Sequence, residues 1–166
     1  MMERLTRRLH EIGVVHKGKF KLSSGNISDY YIDLREAYGY PDTRKMIVEE
    51  LWKLMDKDVT CVAAMGYGGI SPATILAHDH NLNLTLVRRK PKDYSRMTSV
   101  DGYIPNENDR IAVIDDIITT GGSLQRIITE LEPTRAKIVG CYVVVKRGEA
   151  DLKYPVRWLL TTEQLL

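Results

Sequence analysis

The amino-acid sequence predicts an α/β fold, in which a mainly parallel, twisted sheet is flanked by helices. Two observations predict this fold class. Short apolar runs with the composition of buried strands, such as residues 61–65 and 111–114, alternate along the chain with segments of helical spacing. These runs are apolar at every position rather than at every second one. Strands of that kind are typical of a parallel sheet whose two faces are both covered by helices.

The individual elements are predicted from apolar spacing and from turn residues. In the first element, Leu5, Leu9 and Ile12 share one helix face, and Gly13 ends the helix. Two short strands that follow are separated by a polar turn at residues 23–26. The helices are predicted at residues 2–12, 41–57, 71–77 and 123–131. The strands are predicted at residues 20–22, 30–34, 61–65, 84–87, 111–114 and 138–145.

Residues 90–108 show neither the apolar runs of buried strands nor the apolar spacing of a helix. This segment contains two prolines and several charges, and its apolar residues show almost no periodicity. Loops of this length are uncommon in compact domains and are usually functional lids or disordered segments. We therefore predict a long loop here, inside a single domain that covers residues 1–166.

The composition is that of an ordinary globular protein and excludes several classes of function. Apolar residues make up 43% of the chain and charged residues 28%, which excludes disorder and collagen-like repeats. The 24 Lys and Arg residues nearly balance the 22 Asp and Glu residues, so the net charge of +2 indicates neither a nucleic-acid partner nor a membrane surface. No run approaches the ~20 apolar residues of a membrane span, and residues 1–10 lack the apolar run of an export signal. We expect a cytoplasmic protein.

The strongest chemical signal is the run at residues 111–123, which reads IAVIDDIITTGGS. Gly121 and Gly122 allow a close backbone approach, and the loop can present N–H groups and hydroxyls to a phosphate at a helix N-terminus. The carboxylates of Asp115 and Asp116 suit vicinal sugar hydroxyls, or a cation that accompanies a polyphosphate. The loop lacks the lysine of a P-loop, which disfavours a nucleoside triphosphatase. A strand that ends in an ordinary capped turn is the alternative interpretation.

These thirteen residues closely resemble the phosphoribosyl-pyrophosphate (PRPP) motif of type I phosphoribosyltransferases, with four apolar residues, two acids, two apolar residues and TTGG[ST]. The resemblance implies the type I phosphoribosyltransferase fold. Residues 1–40 would contribute to a small N-terminal hood, and residues 90–108 would form a mobile catalytic loop. It also implies a Mg²⁺-dependent transfer in which PRPP itself mainly holds the metal, so no direct protein ligand of Mg²⁺ is assigned.

Two further segments resemble the orotate phosphoribosyltransferases within that family. Residues 20–35 read FKLSSGNISDYYIDLR and resemble the stretch F-x-L-x-S-G-x-x-S-x-Y-Y-x-D-x-R. Residues 88–94 read RRKPKDY and resemble R-K-x-x-K-x-[HY]-G, the start of the mobile catalytic loop. The second run also suits an anion physically, because it places four cations within five residues, although a solvated basic loop is the alternative. The resemblance implies transfer of ribose 5-phosphate from PRPP to orotate, giving orotidine 5-phosphate and diphosphate in UMP biosynthesis.

The resemblance also assigns site residues by position. The catalytic residues are Lys92, Asp115 and Asp116. PRPP is bound by Arg88, Arg89, Lys92, Tyr94, Asp115, Asp116, Ile117, Ile118, Thr119, Thr120, Gly121, Gly122 and Ser123. The diphosphate loop contains Tyr67, Gly68 and Gly69, and the orotate ligands are Ser23, Tyr31, Thr119 and Arg147. For Arg147, surface solvation is the alternative interpretation.

This chain departs from the family pattern at two positions, so the detailed contacts that these positions make to the two substrates are not assigned. Ser23 and Gly68 stand where many family members have lysines that meet orotate and pyrophosphate, respectively. The resemblance further implies a homodimer with shared active sites, in which Arg89, Lys92 and Tyr94 reach into the partner's site. The expected partners are therefore PRPP, orotate and a second copy of the chain, with no nucleic acid and no membrane.

Two other functions remain open at this point. The first is a phosphoribosyltransferase for a purine or another pyrimidine base, which Ser23 and Gly68 favour and which residues 20–35 and 88–94 oppose. The second is a PRPP-sensing regulator that binds nucleic acid and has lost catalysis. The low net charge and the presence of Lys92 oppose the regulator.

Overall fold

A computed structural model of the chain describes residues 2–21, 25–89 and 99–166. The predicted α/β fold class is confirmed, since these residues form a mostly parallel sheet with helices on both faces. The strands β1 to β8 are Val15–Lys21, Ile27–Ile32, Cys61–Met65, Asn83–Val87, Val100–Gly102, Arg110–Ile118, Lys137–Lys146 and Val156–Thr161. The helices α1 to α5 are Met2–Ile12, Leu34–Ala37, Pro41–Leu54, Gly66–His80 and Gly122–Leu131. None of the helices in the described ranges is long and apolar enough to cross a bilayer.

The main sheet has the strand order β5-β4-β3-β6-β7-β8. Its pairs are parallel except that β5 runs antiparallel to β4 at the edge. The chain leaves β3 through α4 to β4 on one side, whereas β6 lies on the other side of β3. Parallel sheets bind ligands in the crevice that such a reversal opens beyond the carboxyl ends of the strands. The crevice here lies between the end of β3 and the end of β6.

The central strands are apolar on both faces because each face covers a separate core. On one face Val62, Ala64 and Ile114 pack in a cluster with residues of α1, α3 and α4. On the other face Ala63 and Val113 pack against α5. All five side chains are fully buried. The sheet is therefore rigid on both sides of the crevice, which fixes the groups at its edge.

A two-stranded antiparallel hairpin, β1 and β2, lies outside the main sheet. Its register places Val15 opposite Ile32 and Lys17 opposite Tyr30. Residues of β2 contact Arg147, which directly follows β7, so the hairpin is anchored beside the crevice. It falls within residues 1–40, for which the sequence predicts a hood.

Two element boundaries next to the crevice differ from the predictions. α4 begins at Gly66 rather than at Ser71, and Pro72 lies inside the helix. β6 continues to Ile118 instead of ending at residue 114, because β7 pairs with it as far as Lys146. The acidic pair therefore belongs to β6, whereas the sequence predicts the strand to end before this pair and the loop to begin after it.

The predicted long loop at residues 90–108 is wrong over part of its length. Val100–Gly102 forms the edge strand β5, and residues 90–98 lie outside the described residues. The strand β8 at Val156–Thr161 is missing from the predicted elements. Both are edge strands that owe their conformation to a neighbouring strand, and such pairing is not visible in a local apolar pattern.

Candidate active site

The acidic pair lies at the carboxyl end of β6, beside the crevice. Asp115 is only 6% exposed, and its Oδ1 accepts a hydrogen bond of 2.9 Å from the backbone N–H of Asp116. Oδ1 of Asp116 in turn accepts a hydrogen bond of 2.8 Å from the N–H of Ile117. Each carboxylate is thereby oriented through one of its oxygens by the backbone that follows it.

Burial raises the pKa of both carboxyl groups above the ordinary range for aspartate. The charge of Asp116 raises the pKa of Asp115 further. Arg89 opposes the rise for Asp115, and Arg35 opposes it for Asp116, because a nearby positive charge favours the ionised carboxylate. Two buried carboxylates side by side favour a ligand that brings positive charge or hydroxyl donors.

The start of α4 packs against the acidic pair through two glycines. A Cβ atom at Gly68 would overlap the carboxylate of Asp116. A Cβ atom at Gly69 would lie 2.6 Å from the carbonyl oxygen of Ile114. The N-cap residue, Met65, gives α4 no side-chain capping bond, so the first N–H groups of the helix are free of a side-chain cap at this edge. This arrangement brings a helix N-terminus, which attracts anions, next to two carboxylates.

The loop that connects β6 to α5 is held in shape by the segment that follows β7. Gly121, the N-cap of α5, has a φ of +80°, and a Cβ atom there would lie 2.7 Å from the Cβ of Ala150. A Cβ atom at Gly148 would lie 2.5 Å from the carbonyl oxygen of Thr119. Larger residues would therefore displace this loop, which the sequence predicts to hold a phosphate.

Two arginines reach the crevice from opposite sides. The guanidinium of Arg89 lies against the backbone of Gly66, where a Cβ atom would come 2.8 Å from Arg89 Nη2. Nη2 of Arg147 donates hydrogen bonds to Ser28 Oγ at 2.6 Å and to the carbonyl oxygen of Tyr30 at 3.2 Å. The guanidinium carbon of Arg147 lies 4.4 Å from the ring centroid of Tyr30. The positive charge of Arg147 is thus fixed between the hairpin and the main sheet.

These groups surround one cavity of about 340 Å³ at the carboxyl edge of the sheet. Its walls combine carboxylates, guanidinium groups, two tyrosine rings and the hydroxyls of one threonine and one serine. The lining residues are Lys21, Tyr31, Ile32, Asp33, Arg35, Met65, Tyr67, Gly68, Arg89, Asp115, Asp116, Ile117, Thr119, Ser123 and Arg147.

The structure brings much of the predicted site together. Ten of the predicted residues line the cavity, and five more lie next to it in β6, α4 or the loop before α5. The ten are Tyr31, Tyr67, Gly68, Arg89, Asp115, Asp116, Ile117, Thr119, Ser123 and Arg147. The five are Gly69, Ile118, Thr120, Gly121 and Gly122. Ser23, Lys92 and Tyr94 lie outside the described residues.

Arg88 and Arg89 lie in different places, although the resemblance assigns both to PRPP. The guanidinium of Arg88 forms an ion pair with Asp101 of β5, and the backbone N–H of Arg88 donates to the carbonyl oxygen of Ser99 at 2.7 Å. Arg88 is not among the residues that line the cavity. The contacts with β5 and with the residue before it hold Arg88 away from the cavity. Arg89 lines the cavity of its own chain, and its reach into a partner's site stays a prediction.

Lys21, Asp33 and Arg35 also line the cavity, although the sequence analysis assigns them no role. Asp33 and Arg35 are the last two fixed letters of the stretch at residues 20–35, and this is the signal that could have identified them. In the described part of the chain, no group of three or more His, Cys, Asp or Glu side chains is arranged to hold a metal ion. The site therefore offers a pair of carboxylates rather than a metal cage.

Comparisons with known proteins agree with this arrangement. Residues 42–157 match the model of the phosphoribosyl transferase domain family. An orotate phosphoribosyltransferase of Methanocaldococcus jannaschii is 33% identical over 147 residues, which are 88% of this chain and 82% of that protein. One from Thermococcus gammatolerans is 35% identical over 150 residues, covering 89% of this chain and 79% of the relative. The crystal structure of orotate phosphoribosyltransferase from Aeropyrum pernix superposes with a TM-score of 0.86 at 27% identity, covering 98% of this chain and 96% of the other.

Proposed function

This chain belongs to the phosphoribosyl transferase domain family and, within it, to the orotate phosphoribosyltransferases, and we propose that it transfers ribose 5-phosphate from PRPP to orotate. The products are orotidine 5-phosphate and diphosphate, on the route to UMP. One observation carries the proposal. The acidic pair of β6, the loop before α5 and the guanidinium of Arg89 line a single cavity. A ribose with a phosphate at one end and a diphosphate at the other requires these three features together.

PRPP binds along the carboxyl edge of the sheet in this proposal. Its 5-phosphate lies at residues 119–123, where the N-terminus of α5 and the side chains of Thr119 and Ser123 can donate hydrogen bonds. The ribose hydroxyls donate to the carboxylates of Asp115 and Asp116. The diphosphate then points towards the start of α4 at residues 67–69, and Arg89 lies beside it.

Mg²⁺ accompanies PRPP and is held mainly by PRPP oxygens. The cavity fits a metal that the substrate carries, since Asp115 and Asp116 offer hard oxygen atoms, while the described residues contain no cluster of three ligating side chains. When bound, the ion neutralises charge on the leaving diphosphate. We assign no direct protein ligand.

The charges around the cavity match those that develop during the transfer. As the bond between C1 and the diphosphate oxygen breaks, positive charge builds on the ribose ring and negative charge on diphosphate. The buried carboxylates of Asp115 and Asp116 stabilise the positive ring. Arg89 and the N-terminus of α4 stabilise the leaving group. Because the orotate nitrogen attacks C1 directly, the protein needs no covalent nucleophile.

Orotate binds between the hairpin and the phosphate loop, against Tyr31, Thr119 and Arg147. A guanidinium matches the planar carboxylate of orotate through parallel hydrogen bonds. Arg147 is already oriented by Ser28 and by the ring of Tyr30, which lowers the entropic cost of ordering it on binding. Ser23, the other predicted orotate ligand, lies outside the described residues.

The remaining predicted roles are part of the same proposal. Lys92 stabilises the leaving diphosphate, Tyr94 binds PRPP, and the catalytic loop that contains both residues closes over the site to exclude water. The protein acts in the cytoplasm as a homodimer with shared active sites, as a single domain with residues 1–40 in the hood.

The fall in the ultraviolet absorbance of orotate tests the reaction. Purified protein is mixed with orotate, PRPP and Mg²⁺, and the controls omit PRPP or include a chelator. We expect an absorbance loss that requires both PRPP and the metal. No loss with a folded protein that binds PRPP would overturn the assignment to orotate.

A further inference from the structure

Arg35 is held rigidly at the rim of the cavity by two neighbours. Its Nε donates to Asp33 Oδ1 at 2.7 Å and its Nη2 donates to Asp33 Oδ2 at 2.6 Å, which is a bidentate pair. Nη2 also donates to the hydroxyl of Tyr31 at 3.1 Å. Asp33 is itself fixed as the N-cap of α2, where Oδ1 accepts the backbone N–H of Arg35. These bonds use one edge of the guanidinium and orient the group through Nε and Nη2.

The oriented guanidinium lies beside the start of α4. Arg35 lines the central cavity together with Tyr67, Gly68 and Asp116. It also lines an adjoining hollow of about 460 Å³, whose other walls include Gly66 and Arg89. Its charge lowers the pKa of Asp116 against the larger effect of burial, which agrees with this position. Arg35 and Arg89 thus flank the N-terminus of α4 together.

No side chain of the first turn of α4 can supply a cation to this place. A side chain at Gly68 would overlap the carboxylate of Asp116, and one at Gly69 would meet the carbonyl oxygen of Ile114. Gly66 is covered by Arg89. A polyanion at this helix N-terminus therefore needs cations from other elements, and α2 and the end of β4 supply them.

We propose that Arg35, oriented by Asp33, is a further ligand of the diphosphate group of PRPP. The inference rests on the proposed function in that it takes PRPP as the substrate. Two guanidinium groups on either side of a helix N-terminus match the charge and the spread oxygens of a diphosphate better than those of the single 5-phosphate. Asp33 is a positioning residue, because it acts on the ligand only through Arg35.

Calorimetric titration tests this assignment with the two ends of PRPP used as separate probes. Magnesium diphosphate and ribose 5-phosphate are each titrated into the wild type and into Arg35→Gln, Arg35→Lys and Asp33→Asn. Arg126→Gln is the matched control, since Arg126 forms an ion pair with Glu130 on α5 and does not line the cavity. Thermal melts of every variant verify folding.

We expect Arg35→Gln to weaken magnesium diphosphate binding about tenfold or more and to leave ribose 5-phosphate binding unchanged, because a charge-assisted hydrogen bond is lost at one end only. Arg35→Lys and Asp33→Asn should reduce the affinity for magnesium diphosphate by a smaller factor. Arg126→Gln should not change that affinity. Wild-type affinity for diphosphate in Arg35→Gln would overturn the proposal. So would equal losses for both probes, which would show that Arg35 only supports the fold.

The outcome is separable from that of the proposed function. A wild type that binds both probes but does not consume orotate would overturn orotate as the base, and the assignment of Arg35 would still be decided by the diphosphate titration. A wild type that fails to bind magnesium diphosphate would overturn the assignment of Arg35 directly.

Discussion

Gly68 and Asp116 are in direct contact across the crevice, so close that any side chain at position 68 would occupy the space of the carboxylate. The contact joins the first turn of α4 to the end of β6. It positions an anion-attracting helix N-terminus for the diphosphate and a carboxylate for the ribose of the same substrate. The glycine is thus needed for the shape of the site as well as for the fold.

Gly68→Ala is expected to lower kcat/KM for PRPP by about 100-fold, since a displacement of about 1 Å of a catalytic group can cost that much. Steady-state kinetics measure the effect, and a thermal melt verifies folding. Thr74→Ala on the exposed side of the same helix is the control and should be close to wild type. Equal activity of the two variants would show that Asp116 moves aside without consequence.

Asp116→Asn is expected to abolish turnover while it stabilises the protein. Burial raises the pKa of Asp116, so its ionised form is costly in the folded state. Asparagine keeps the Oδ1 that accepts the N–H of Ile117. We expect the free energy of unfolding at pH 7 to rise, because asparagine has no charged form whose burial must be offset. Denaturant unfolding measures it.

The gain from Asp116→Asn should depend on pH in a defined direction. With a raised pKa, the folded protein binds more protons than the unfolded chain above pH ~4, so stability falls as pH rises through the interval between the two pKa values. The asparagine variant does not lose stability in this way, because its side chain at position 116 does not titrate. The difference in unfolding free energy between variant and wild type should therefore grow from pH 4.5 to 8. A difference that shrinks over this range would show that the carboxylate is stabilised in the folded state.

Tyr38→Phe is expected to leave stability unchanged or to raise it by up to about 1 kcal/mol, because the Tyr38 hydroxyl is buried without a hydrogen-bond partner among the described residues. Burial, and then the charges of Asp116 and Asp115, raise the pKa of this hydroxyl and keep it neutral. The control is Tyr142→Phe, which removes a hydroxyl bonded to Arg157 Nη1 at 3.3 Å and should lose stability. Urea unfolding compares the two. An equal loss in both variants would reveal a partner for Tyr38.

Arg147→Ala is expected to raise KM for orotate about tenfold or more, since a charged hydrogen-bond pair to a carboxylate is lost. KM for PRPP should change little, because Arg147 lies on the hairpin side of the cavity. Lys137→Ala, at the opposite end of β7, is the control. If KM for both substrates rises in parallel, Arg147 acts only by anchoring the hairpin through Ser28.

The sequence predicts the central strands and the turn before α5 correctly because their signals are local. These signals are the apolar runs at residues 61–65 and 111–114 and the Thr/Gly/Ser run at residues 119–123. Each run can be assigned to a strand or a turn without knowledge of the rest of the chain. The continuation of β6 through Asp115 and Asp116 depends instead on pairing with β7. The early start of α4 depends on a close contact with β6, for which glycines that disfavour an isolated helix are needed.

The positions of charged side chains near the site are harder to predict from the sequence, because ion pairs with distant or neighbouring residues decide their orientation. Arg88 and Arg89 are neighbours in sequence, yet one is drawn to Asp101 of β5 and the other lies in the cavity. Arg35 reaches the cavity through its bidentate pair with Asp33. The pairing of Arg88 with Asp101 has no sequence signature, whereas Asp33 and Arg35 are identifiable through the family stretch at residues 20–35.

A competition between bases tests most directly which base this cavity accepts. The protein is incubated with PRPP, Mg²⁺ and equal concentrations of orotate, uracil, adenine and hypoxanthine, and the nucleotide products are separated by chromatography. We expect orotidine 5-phosphate as the product, with diphosphate released in equal amount. A purine nucleotide or uridine 5-phosphate as the main product would contradict the assignment of this cavity to orotate.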